Sequence, residues 1–511
     1  MVDSAPAAVE LSGPADVQKD GLIGWIERRP QAAFGWFLAL HFAVWTTLPT
    51  LLYANLPLDL IEAVTYGREW PLGSDKLPPL PWWLVEILYR SFGVDGAYYA
   101  LAQAVVVIAF ALVFVTARRM VGATGALVGV LIIDGMHYFQ YTAVKFNHDV
   151  IQLPFWALAG YSFHAALRRG RLGHWALLGV AFGGALWAKY FVVVLAAPYA
   201  LFLLFDREAR RALATPGPWL ALGLALLIAL PHVIWLFQND FIPFTYAEHR
   251  AAPVRGWFDH VVHPAFFAVS QAFFLLPTCF IAAALLWPRQ KRRGEIAADA
   301  FDRRIVTMLA FGPALATIAL GIASGRGAIA MWGYPLWLFL GLWIVMTVRP
   351  LFDRDRIARV GAAWAAVFTL FALVFLINYT VLPRFDHRYY AEFYPGDKLG
   401  QILTQRFHAA TGKPLRYVIG SMWDGGNLAH YSPDQPHVLI DGEPARAPWV
   451  DMADLRKDGA IVVWTQSDPK VVPPQFAAVA PGAEVGAPFD LPMRRGSGAV
   501  HVGWAIVKPQ A

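Results

Sequence analysis

Residues 97–117 read AYYALAQAVVVIAFALVFVTA, an apolar run without a charged side chain, and Arg118 and Arg119 follow it directly. A helix needs about 20 apolar residues to cross the hydrocarbon core of a bilayer. This run therefore predicts a membrane-spanning helix that ends at a basic loop. Similar runs recur along the chain, at about 34–54, 97–117, 121–138, 150–167, 173–188, 190–205, 218–236, 264–287, 305–323, 329–347 and 360–381. The sequence thus predicts an all-α polytopic membrane protein with about eleven transmembrane helices.

The composition supports the same class. Of the 511 residues, 57% are apolar and only 15% are charged, whereas soluble domains average about 25% charged residues. The 21 tryptophans and 35 phenylalanines suit helices that face lipid and its interfaces. The single cysteine, Cys279, excludes a disulfide framework. Residues 1–22 are rich in Ala, Pro and Asp without an apolar run, which predicts a disordered N-terminus rather than a cleavable signal peptide.

The net charge of +6 is a topology signal because the basic residues gather in every second loop. With the N-terminus in the cytoplasm, the loops on that side hold clusters at 118–119, 168–171, 207–211, 289–293 and 349–359, whereas the opposite loops hold scattered charges. Treating 173–205 as one span would put basic loops on both sides, so two short spans that meet at Lys189 are favoured. The bias predicts a cytoplasmic N-terminus and a periplasmic C-terminus.

The character of the chain changes after the last apolar run. We therefore divide it into the disordered segment 1–22, a transmembrane domain at 23–383 and a periplasmic domain at 384–511. Short β-type runs at 416–419, 437–440 and 460–464 and a helical pattern at 396–411 predict a small α/β fold for the last of these. The glycine-containing stretches 421–427 and 437–442 either help to bind an acceptor or simply form turns after strands.

Two of the loops on the predicted outer face carry acids beside a lysine. Asp59 and Glu62 are spaced so that both carboxylates lie on one face of a helix. They either supply a general base or belong to the solvated start of a helix. Asp75 and Lys76 precede Pro78 and another proline, which fix the backbone there. The Lys76 ammonium would suit a phosphate, although an ordinary surface turn has the same composition.

Two further sets of polar residues face the same side. Asn147, His148 and Asp149 follow Lys145 just before the fourth predicted span, where they form either part of a site or a plain helix cap. Glu248, His249 and Arg250 lie in the second long outer loop, and a neutral histidine beside a carboxylate can ligate a metal. Lys189 and Arg326 add positive charge on this side. The predicted topology would let all these groups share one pocket.

The motifs that the chain lacks narrow the function further. There is no GxxxxGK[ST], no GxGxxG after a strand, no HExxH and no CxxC. This argues against nucleotide-driven chemistry. A site on the outer face has to use a substrate that is available there, and the membrane itself can deliver a lipid-linked one.

These stretches resemble the GT-C glycosyltransferases of the family 39 type, which include protein mannosyltransferases, lipid A aminoarabinose transferases and the Rgt-like bacterial transferases. The resemblance covers about 34–380 and rests on 58–63, on 67–70 followed by 75–81, and on 146–149, with 188–190 and 248–250 at the expected places. It implies a GT-C fold and transfer of a sugar from a polyprenyl-phosphate carrier to a lipid, glycan or protein acceptor on the periplasmic face of a bacterial inner membrane.

The resemblance also implies roles for individual residues. Asp59 is the candidate catalytic base, with Glu62 as the alternative, because many family members carry an adjacent Asp-Glu pair where these two are separated. Asp75 and His249 are the candidate ligands of a divalent metal, and metal dependence is left open because many members carry His or Glu where this chain has Asp75 and Leu77. The residues implied to bind substrate, with both lysines assigned to the carrier phosphate, are Lys76, Lys189, Asn147, His148, Asp149 and Arg250.

Two other functions compete with the transferase. A transporter or flippase of lipid-linked saccharides would need charges deep within its spans and two related halves. The sequence has no repeat, and Asp134, near the end of the third predicted span, is the main counterexample. A scaffold protein with an outer binding domain would not explain why acids, cations and a histidine gather on one face.

Overall fold

The computed structural model describes residues 21–289, 292–385, 388–496 and 498–510, with His249 described in its backbone alone. The predicted disordered segment thus lies almost wholly outside the described residues. The α-helices are α1 Leu22–Arg28, α2 Pro30–Leu52, α3 Leu58–Gly67, α4 Leu80–Phe92, α5 Gly96–Asp134, α6 His148–Arg169, α7 Leu172–Ala188, α8 Val192–Phe205, α9 Pro216–Gln238, α10 Ile242–Arg250, α11 Asp259–Phe274, α12 Leu276–Leu286, α13 Ala300–Ser324, α14 Leu340–Val348, α15 Arg354–Thr380, α16 Gly396–Thr411, α17 Met422–Tyr431, α18 Met452–Asp458 and α19 Pro474–Val479.

A helical segment lies at every predicted apolar run, but the runs do not map one to one onto long helices. Among the described residues five helices are long and apolar enough to cross a membrane: α2, α5, α9, α13 and α15. Helices α11 and α12 meet at a 52° bend and would together make a sixth. Helices α7, α8 and α14 are shorter. The predicted number of eleven spans therefore stays a prediction.

Helix α5 shows why the number of long helices differs from the number of predicted spans. At about 1.5 Å per residue its 39 residues extend about 58 Å, roughly twice the thickness of a hydrocarbon core. Gly122, with φ 75°, interrupts it at the boundary between the second and third predicted spans. That left-handed conformation is strained for any residue with a side chain. The element is thus two helices that turn on one glycine.

The helices pack through apolar and small residues. Phe34 of α2 stacks on Phe114 of α5 with ring centroids 4.0 Å apart. Helix α14 approaches α5 so closely that a Cβ at Gly341 would lie 1.9 Å from the Gly129 carbonyl oxygen. Large apolar side chains such as Phe205 and Leu226 remain exposed along the outer helix faces. Such surfaces are stable in lipid rather than in water.

One polar cluster is buried inside the helix bundle. His41 Nδ1 of α2 lies 3.1 Å from Asp134 Oδ1 at the end of α5, and both side chains are fully buried. Trp364 of α15 donates its indole N–H to the other Asp134 oxygen at 2.7 Å, and Gln140 donates to the same oxygen at 2.9 Å. The carboxylate is therefore enclosed by partners that hold three segments together.

Helices α3 and α4 form a pair after the first long helix. The run 82–89, in which apolar and polar residues share helical spacing, lies within α4. Tyr66 of α3 stacks on Trp82 of α4 with centroids 4.3 Å apart, and a Cβ at Gly67 would lie 2.4 Å from the Trp82 carbonyl oxygen. The close contact fixes the orientation of α3, whose first turn carries Asp59.

The C-terminal residues form a six-stranded sheet with helices packed on it. Its strands are β1 Tyr417–Gly420, β2 His437–Ile440, β3 Ala460–Trp464, β4 Glu484–Val485, β5 Phe489–Pro492 and β6 Ala499–Val507. The order is β2-β1-β3-β6-β4, with β5 also paired to β6; β2, β1 and β3 are parallel and β6 is antiparallel to β3. The predicted strands and helix 396–411 are confirmed, whereas a separate periplasmic domain stays a prediction.

The C-terminal sheet with helices α16 to α19, here called the sheet unit, contacts the segments that follow α2. The backbone N–H groups of Ala54 and Asn55 donate to the Glu392 carbonyl oxygen at 2.9 and 3.0 Å. Helix α17 packs on α3, and a Cβ at Gly426 would lie 2.7 Å from both Ile61 Cγ2 and Thr65 Oγ1. Any ligand held by α17 would therefore be held at a fixed distance from the α3 carboxylates.

Candidate active site

Asp59 lies in the first turn of α3, next to the N-terminus of α6. Its Oδ2 accepts a hydrogen bond from the Asn147 amide at 2.8 Å. Burial raises the pKa of Asp59, although the hydrogen bond from Asn147 and the charge of Lys145 oppose that shift. A carboxylate with a raised pKa is a better proton acceptor than an ordinary aspartate.

Glu62 lies one helical turn later and has a different partner. The Lys76 ammonium donates to Glu62 Oε2 at 2.7 Å, and the two side chains are 15% and 17% exposed. Burial raises the pKa of Glu62 despite the opposing charge of Lys76. Burial alone would lower the pKa of Lys76, but Glu62 outweighs it and the pKa is raised. The two groups thus form a largely buried ion pair.

The start of α6 supplies three more of the predicted residues. Asn147 is the N-cap, whose side-chain oxygen accepts from the backbone N–H groups of Asp149 and Val150 at 3.0 and 3.2 Å. His148 Nε2 lies 3.0 Å from the Pro78 carbonyl oxygen. This contact joins α6 to residues 75–79, here called the proline loop. Since Asn147 also binds Asp59, capping and a place in the site are combined in one side chain.

Lys189 reaches the site from the turn between α7 and α8. Its ammonium lies 2.5 Å from Asp149 Oδ1, and the two side chains are 8% and 7% exposed. The same ammonium lies 5.4 Å from the centroid of the Trp332 ring, within range of a cation–π interaction. Lys189 is thus held between an acid and an aromatic ring.

Helix α10 closes the site from the other side. Tyr246 lies with its ring centroid 5.7 Å from the Lys76 ammonium. Arg250 reaches the same cavity and has no ion-pair partner among the described residues. The neighbouring Glu248 is paired with Arg326, away from the cavity lining.

These side chains surround one cavity of about 140 Å³. Its lining, among the described residues, consists of Asp59, Glu62, Leu77, Asn147, His148, Asp149, Lys189, Tyr246, Ala247, Arg250, Ile329, Met331 and Trp332. Seven of the ten residues proposed from the sequence are in it, and Lys76 touches it through Glu62. The three acids and three cations gathered here balance each other, so an added anion would have to share these cations.

Asp75 does not line this cavity. Its Oδ1 accepts from the Tyr66 hydroxyl at 2.6 Å, and its Oδ2 accepts from Arg446 Nε at 2.9 Å. Arg446 also pairs with Asp441, so it connects the sheet unit with the proline loop. Both oxygens that would ligate a metal are therefore occupied by protein donors.

The other proposed metal ligand, the side chain of His249, lies outside the described residues. Across the part of the chain that the structure describes, no group of three or more His, Cys, Asp or Glu side chains is arranged to hold a metal ion. The described residues therefore do not fit a metal, and the metal assignment stays a prediction.

Sequence reasoning missed the segment that contributes Ile329, Met331 and Trp332. Residues 329–347 were predicted as a span, but α14 begins only at Leu340, and the preceding residues turn irregularly beside the cavity. Gly333 and Pro335 interrupt the apolar run, which is the signal that could have shortened the predicted helix. A break in an apolar segment at a cavity is tolerated because the freed backbone groups are not exposed to lipid.

Comparison with known proteins gives consistent relationships. Residues 76–235 match the dolichyl-phosphate-mannose-protein mannosyltransferase family. The lipopolysaccharide core galacturonosyltransferase RgtA of Rhizobium johnstonii is 24% identical over 503 residues, which cover 93% of this chain and 97% of RgtA. The lipid A galacturonosyltransferase RgtD of the same organism is 28% identical over 214 residues, which cover 40% of this chain and 44% of RgtD.

The fold is shared with a solved transferase. ArnT from Cupriavidus metallidurans, bound to undecaprenyl phosphate, superposes with a TM-score of 0.60 at 13% identity, covering 96% of this chain and 100% of ArnT. Its apo state gives a TM-score of 0.58. The solved structures show a shared fold, and the family match and the relatives support a GT-C glycosyltransferase for this chain with its several apolar helices.

Proposed function

We propose that this chain transfers a sugar from a polyprenyl-phosphate carrier to a saccharide of a lipid or glycan acceptor on the periplasmic face, with inversion at the anomeric carbon. The observation that carries the proposal is the cavity in which the Asp59 carboxylate faces Lys189 and Arg250. A displacement at a glycosyl phosphate needs both parts, a base for the acceptor and cations for the leaving phosphate.

Arg250 is the best candidate for the first contact with the carrier phosphate. Lys76 and Lys189 are already neutralised by Glu62 and Asp149, whereas Arg250 has no acidic partner among the described residues. A guanidinium also matches the geometry of a phosphate with two parallel hydrogen bonds. Lys189 would add a second charge as its ammonium turns between Asp149 and the phosphate.

Asp59 is the better candidate for the general base. Glu62 is held by the Lys76 ammonium, which stabilises its charge and weakens it as a proton acceptor. Burial raises the pKa of both carboxyl groups, but among the described residues the side-chain partner of Asp59 is a neutral amide, whereas that of Glu62 is an ammonium. In the proposed step Asp59 takes the proton of an acceptor hydroxyl and the hydroxyl oxygen forms a bond to the anomeric carbon. The bond from that carbon to the phosphate oxygen breaks, and the carrier phosphate leaves with the electron pair.

The relatives suggest the class of substrate. RgtA and RgtD are named as galacturonosyltransferases of the lipopolysaccharide core and of lipid A. ArnT binds undecaprenyl phosphate. We therefore propose a polyprenyl-phosphate hexuronic acid as the donor and a lipopolysaccharide sugar as the acceptor. No nucleotide takes part in the step.

The ends of α6 support the proposed orientation. Its N-terminus lies at the cavity, and at its C-terminus Arg168 pairs with Asp299 and Asp302 at the start of α13. The basic clusters near Arg168 and Arg210 thus lie at the end of α6 away from the candidate site. The bias of basic residues toward cytoplasmic loops would put the cavity on the periplasmic side.

The His41–Asp134 pair is the observation that favours a flippase, since charges inside a bundle mark transport pathways. The pair is, however, closed off by Trp364 and Gln140. A flippase would move the intact carrier across the bilayer without breaking the glycosyl–phosphate bond. Release of sugar from the carrier therefore distinguishes the two functions.

The test uses purified protein in detergent and radiolabelled polyprenyl-phosphate sugars, among them a galacturonosyl donor. Wild type, Asp59→Asn and the matched variant Glu62→Gln are compared, each with and without a chelator. We expect wild type to release sugar, Asp59→Asn to lose release by two orders of magnitude or more, as about 10²–10⁴-fold is typical of a general base, and Glu62→Gln to lose less. Equal release by wild type and Asp59→Asn would move the base to Glu62, and no release by wild type would favour the flippase.

A further inference from the structure

A second and larger cavity lies between the sheet unit and the segment that follows α15. Its volume is about 680 Å³, against about 140 Å³ for the candidate active site. The described residues that line it are Leu58, Pro383, Arg388, Tyr389, Tyr390, Ala391, Tyr394, Trp423, Thr465, Gln466, Met493, Arg495, Gly496, Gly498, Ala499, Val500 and His501. Leu58 precedes Asp59 directly, so this cavity reaches the first turn of α3, which carries the proposed base.

Aromatic side chains form one wall of this cavity. Tyr394 and Trp423 meet edge to face with ring centroids 5.1 Å apart, and Tyr389 is 60% exposed. A flat ring covers the C–H face of a pyranose, while a phenol hydroxyl can hydrogen-bond to the sugar's own hydroxyl groups. This pairing of apolar faces with polar edges suits a saccharide better than a purely apolar ligand.

A buried carboxyl group organises the polar floor. Asp424 is 2% exposed and accepts hydrogen bonds from Ser421 at 3.0 Å, Thr465 at 2.9 Å and Tyr394 at 3.3 Å. It fixes three side chains from three different elements. Thr465 and Gln466 continue from here into a neighbouring cavity of about 410 Å³.

That neighbouring cavity lies at the carboxyl ends of the parallel strands. Ser421 follows β1, Asp441 follows β2 and Thr465 follows β3, and all three line it. The strand order β2-β1-β3 places a change of chain direction between β1 and β3. In open α/β sheets ligands bind in the crevice at such a point. The two cavities share Thr465 and Gln466 and are together called the groove.

The described lining of the larger cavity contains arginines and no acid. Among the described residues that line it none is Asp or Glu, while Arg388 and Arg495 are both present. Arg495 donates to the Tyr379 carbonyl oxygen at 2.7 Å and lies 5.2 Å from the Phe393 ring, so no carboxylate neutralises it in these contacts. His501 pairs with Asp490. The larger cavity would therefore bind the carboxylate or phosphate groups of a saccharide, whereas the neighbouring cavity, lined by Asp424, Asp441 and Asp468, would accept hydrogen bonds from its hydroxyl groups.

We propose that this groove binds the anionic saccharide of the acceptor and presents one of its hydroxyl groups to Asp59. The inference rests on the proposed glycosyl transfer and adds to it the place and chemistry of acceptor binding. The packing of α17 on α3 through Gly426 holds the groove at a fixed position relative to the base. The sheet unit is then part of the substrate-binding machinery rather than a stabilising appendage.

Binding is measured by titration calorimetry on the full chain carrying Asp59→Asn, so that turnover does not interfere. The probe is a deacylated lipopolysaccharide core oligosaccharide, used as isolated, after dephosphorylation and after reduction of its carboxyl groups. In this background Arg495→Gln keeps a donor for the Tyr379 carbonyl but removes the charge, and Tyr389→Ala removes the exposed ring. The matched controls are Arg494→Gln, whose arginine pairs with Asp397 outside the cavity, and Phe385→Ala, which is also exposed.

We expect Arg495→Gln and Tyr389→Ala each to weaken the Kd for the isolated oligosaccharide about tenfold or more, the loss expected for one charge-assisted contact or one stacked ring. Both controls should stay within about twofold of the background value. Removal of phosphate or carboxylate groups should weaken binding, and the more damaging treatment identifies the anion. Equal affinity in all variants, equal affinity for all three forms of the probe, or no binding by the background chain would overturn the proposal.

The proposed glycosyl transfer is tested in a separate assay. Wild-type protein without acceptor is assayed for release of sugar from the donor to water, which does not involve the groove. Absence of release would contradict the glycosyltransferase proposal while leaving the binding titrations to decide the groove. Release together with unaltered binding in Arg495→Gln and Tyr389→Ala would uphold the enzyme and reject the groove.

Discussion

Removing one partner of the ion pair between Lys189 and Asp149 should destabilise the protein strongly. Replacing both partners should restore stability but not activity. The two groups are 2.5 Å apart and the side chains are 8% and 7% exposed. Removing one partner of a buried pair leaves an uncompensated charge, which typically costs about 3–5 kcal/mol. We therefore expect Asp149→Leu and Lys189→Met each to lose free energy of unfolding in that range.

The double variant separates stability from catalysis. With both charges replaced by apolar side chains of similar length, no charge is left unpaired, and such replacements are often neutral or even stabilising by about 1–4 kcal/mol. The double variant should therefore recover most of the lost stability. It should remain inactive in sugar release because the Lys189 charge proposed to face the carrier phosphate is absent.

Stability is followed by thermal unfolding in detergent, and activity by release of labelled sugar from a polyprenyl-phosphate donor. A matched control is the exposed pair Arg354–Glu27, whose side chains are 57% and 40% exposed. Exposed pairs contribute about 0–1 kcal/mol, so Glu27→Gln should leave stability almost unchanged. Single variants as stable as this control would refute the buried pair, and an active double variant would refute the role of Lys189 in phosphate binding.

Four further predictions follow from the same contacts. Because Asp59 acts as a base only when deprotonated and burial raises its pKa, kcat/KM should rise with pH through an inflection above the ordinary value of about 3.9. Asn147→Ala removes a hydrogen bond that lowers this pKa and should shift the inflection to higher pH; an unchanged profile would argue against Asp59 as the base. Arg446→Gln removes the ion pair with Asp75 and should weaken the contact between the sheet unit and the proline loop. Proteolysis near residues 384–395 should then be faster than in the control Arg416→Gln, whose exposed arginine pairs within the sheet unit. Equal rates would show that the Arg446–Asp75 pair does not hold the sheet unit in place. Asp134→Ala leaves the Trp364 indole without its acceptor and Gln140 with the backbone carbonyl of residue 134 alone. It should lower the unfolding temperature more than Ser270→Ala does, whereas equal temperatures would show that the cluster adds no stability. Since protein donors occupy both oxygens of Asp75, a chelator should leave sugar release within about twofold of the untreated enzyme, and a larger loss that is restored by a divalent metal would contradict this.

The acids and cations of the first outer loop could be grouped from the sequence because helical spacing fixes which side chains share a face. Asp59 and Glu62 are three residues apart and line one cavity, as the spacing predicts. Distances between loops could not be predicted in this way. That Asn147 would bind Asp59 depends on the packing of α6 beside α3, and no local pattern encodes it.

The partner of Asp75 shows the limit most clearly. The family resemblance implies a metal ligand at Asp75, but Arg446, more than three hundred residues away in the chain, occupies one of its oxygens. Likewise, the place of Trp332 in the site could not be predicted from the run 329–347. An apolar run has the same composition whether it crosses a membrane or turns back at a cavity.

The sequence by itself determined the membrane class, the helical segments, the C-terminal strands and the residue types of the site. These properties follow from hydropathy, periodicity and turn residues, which act over neighbouring positions. Only the tertiary structure decided which carboxylate is neutralised by a lysine, which cavity-lining arginine has no acidic partner among the residues that the structure describes, and where the sheet unit forms a groove near Asp59. Such pairings arise from contacts between segments that are distant in the chain, because burial and charge act through space rather than along the sequence.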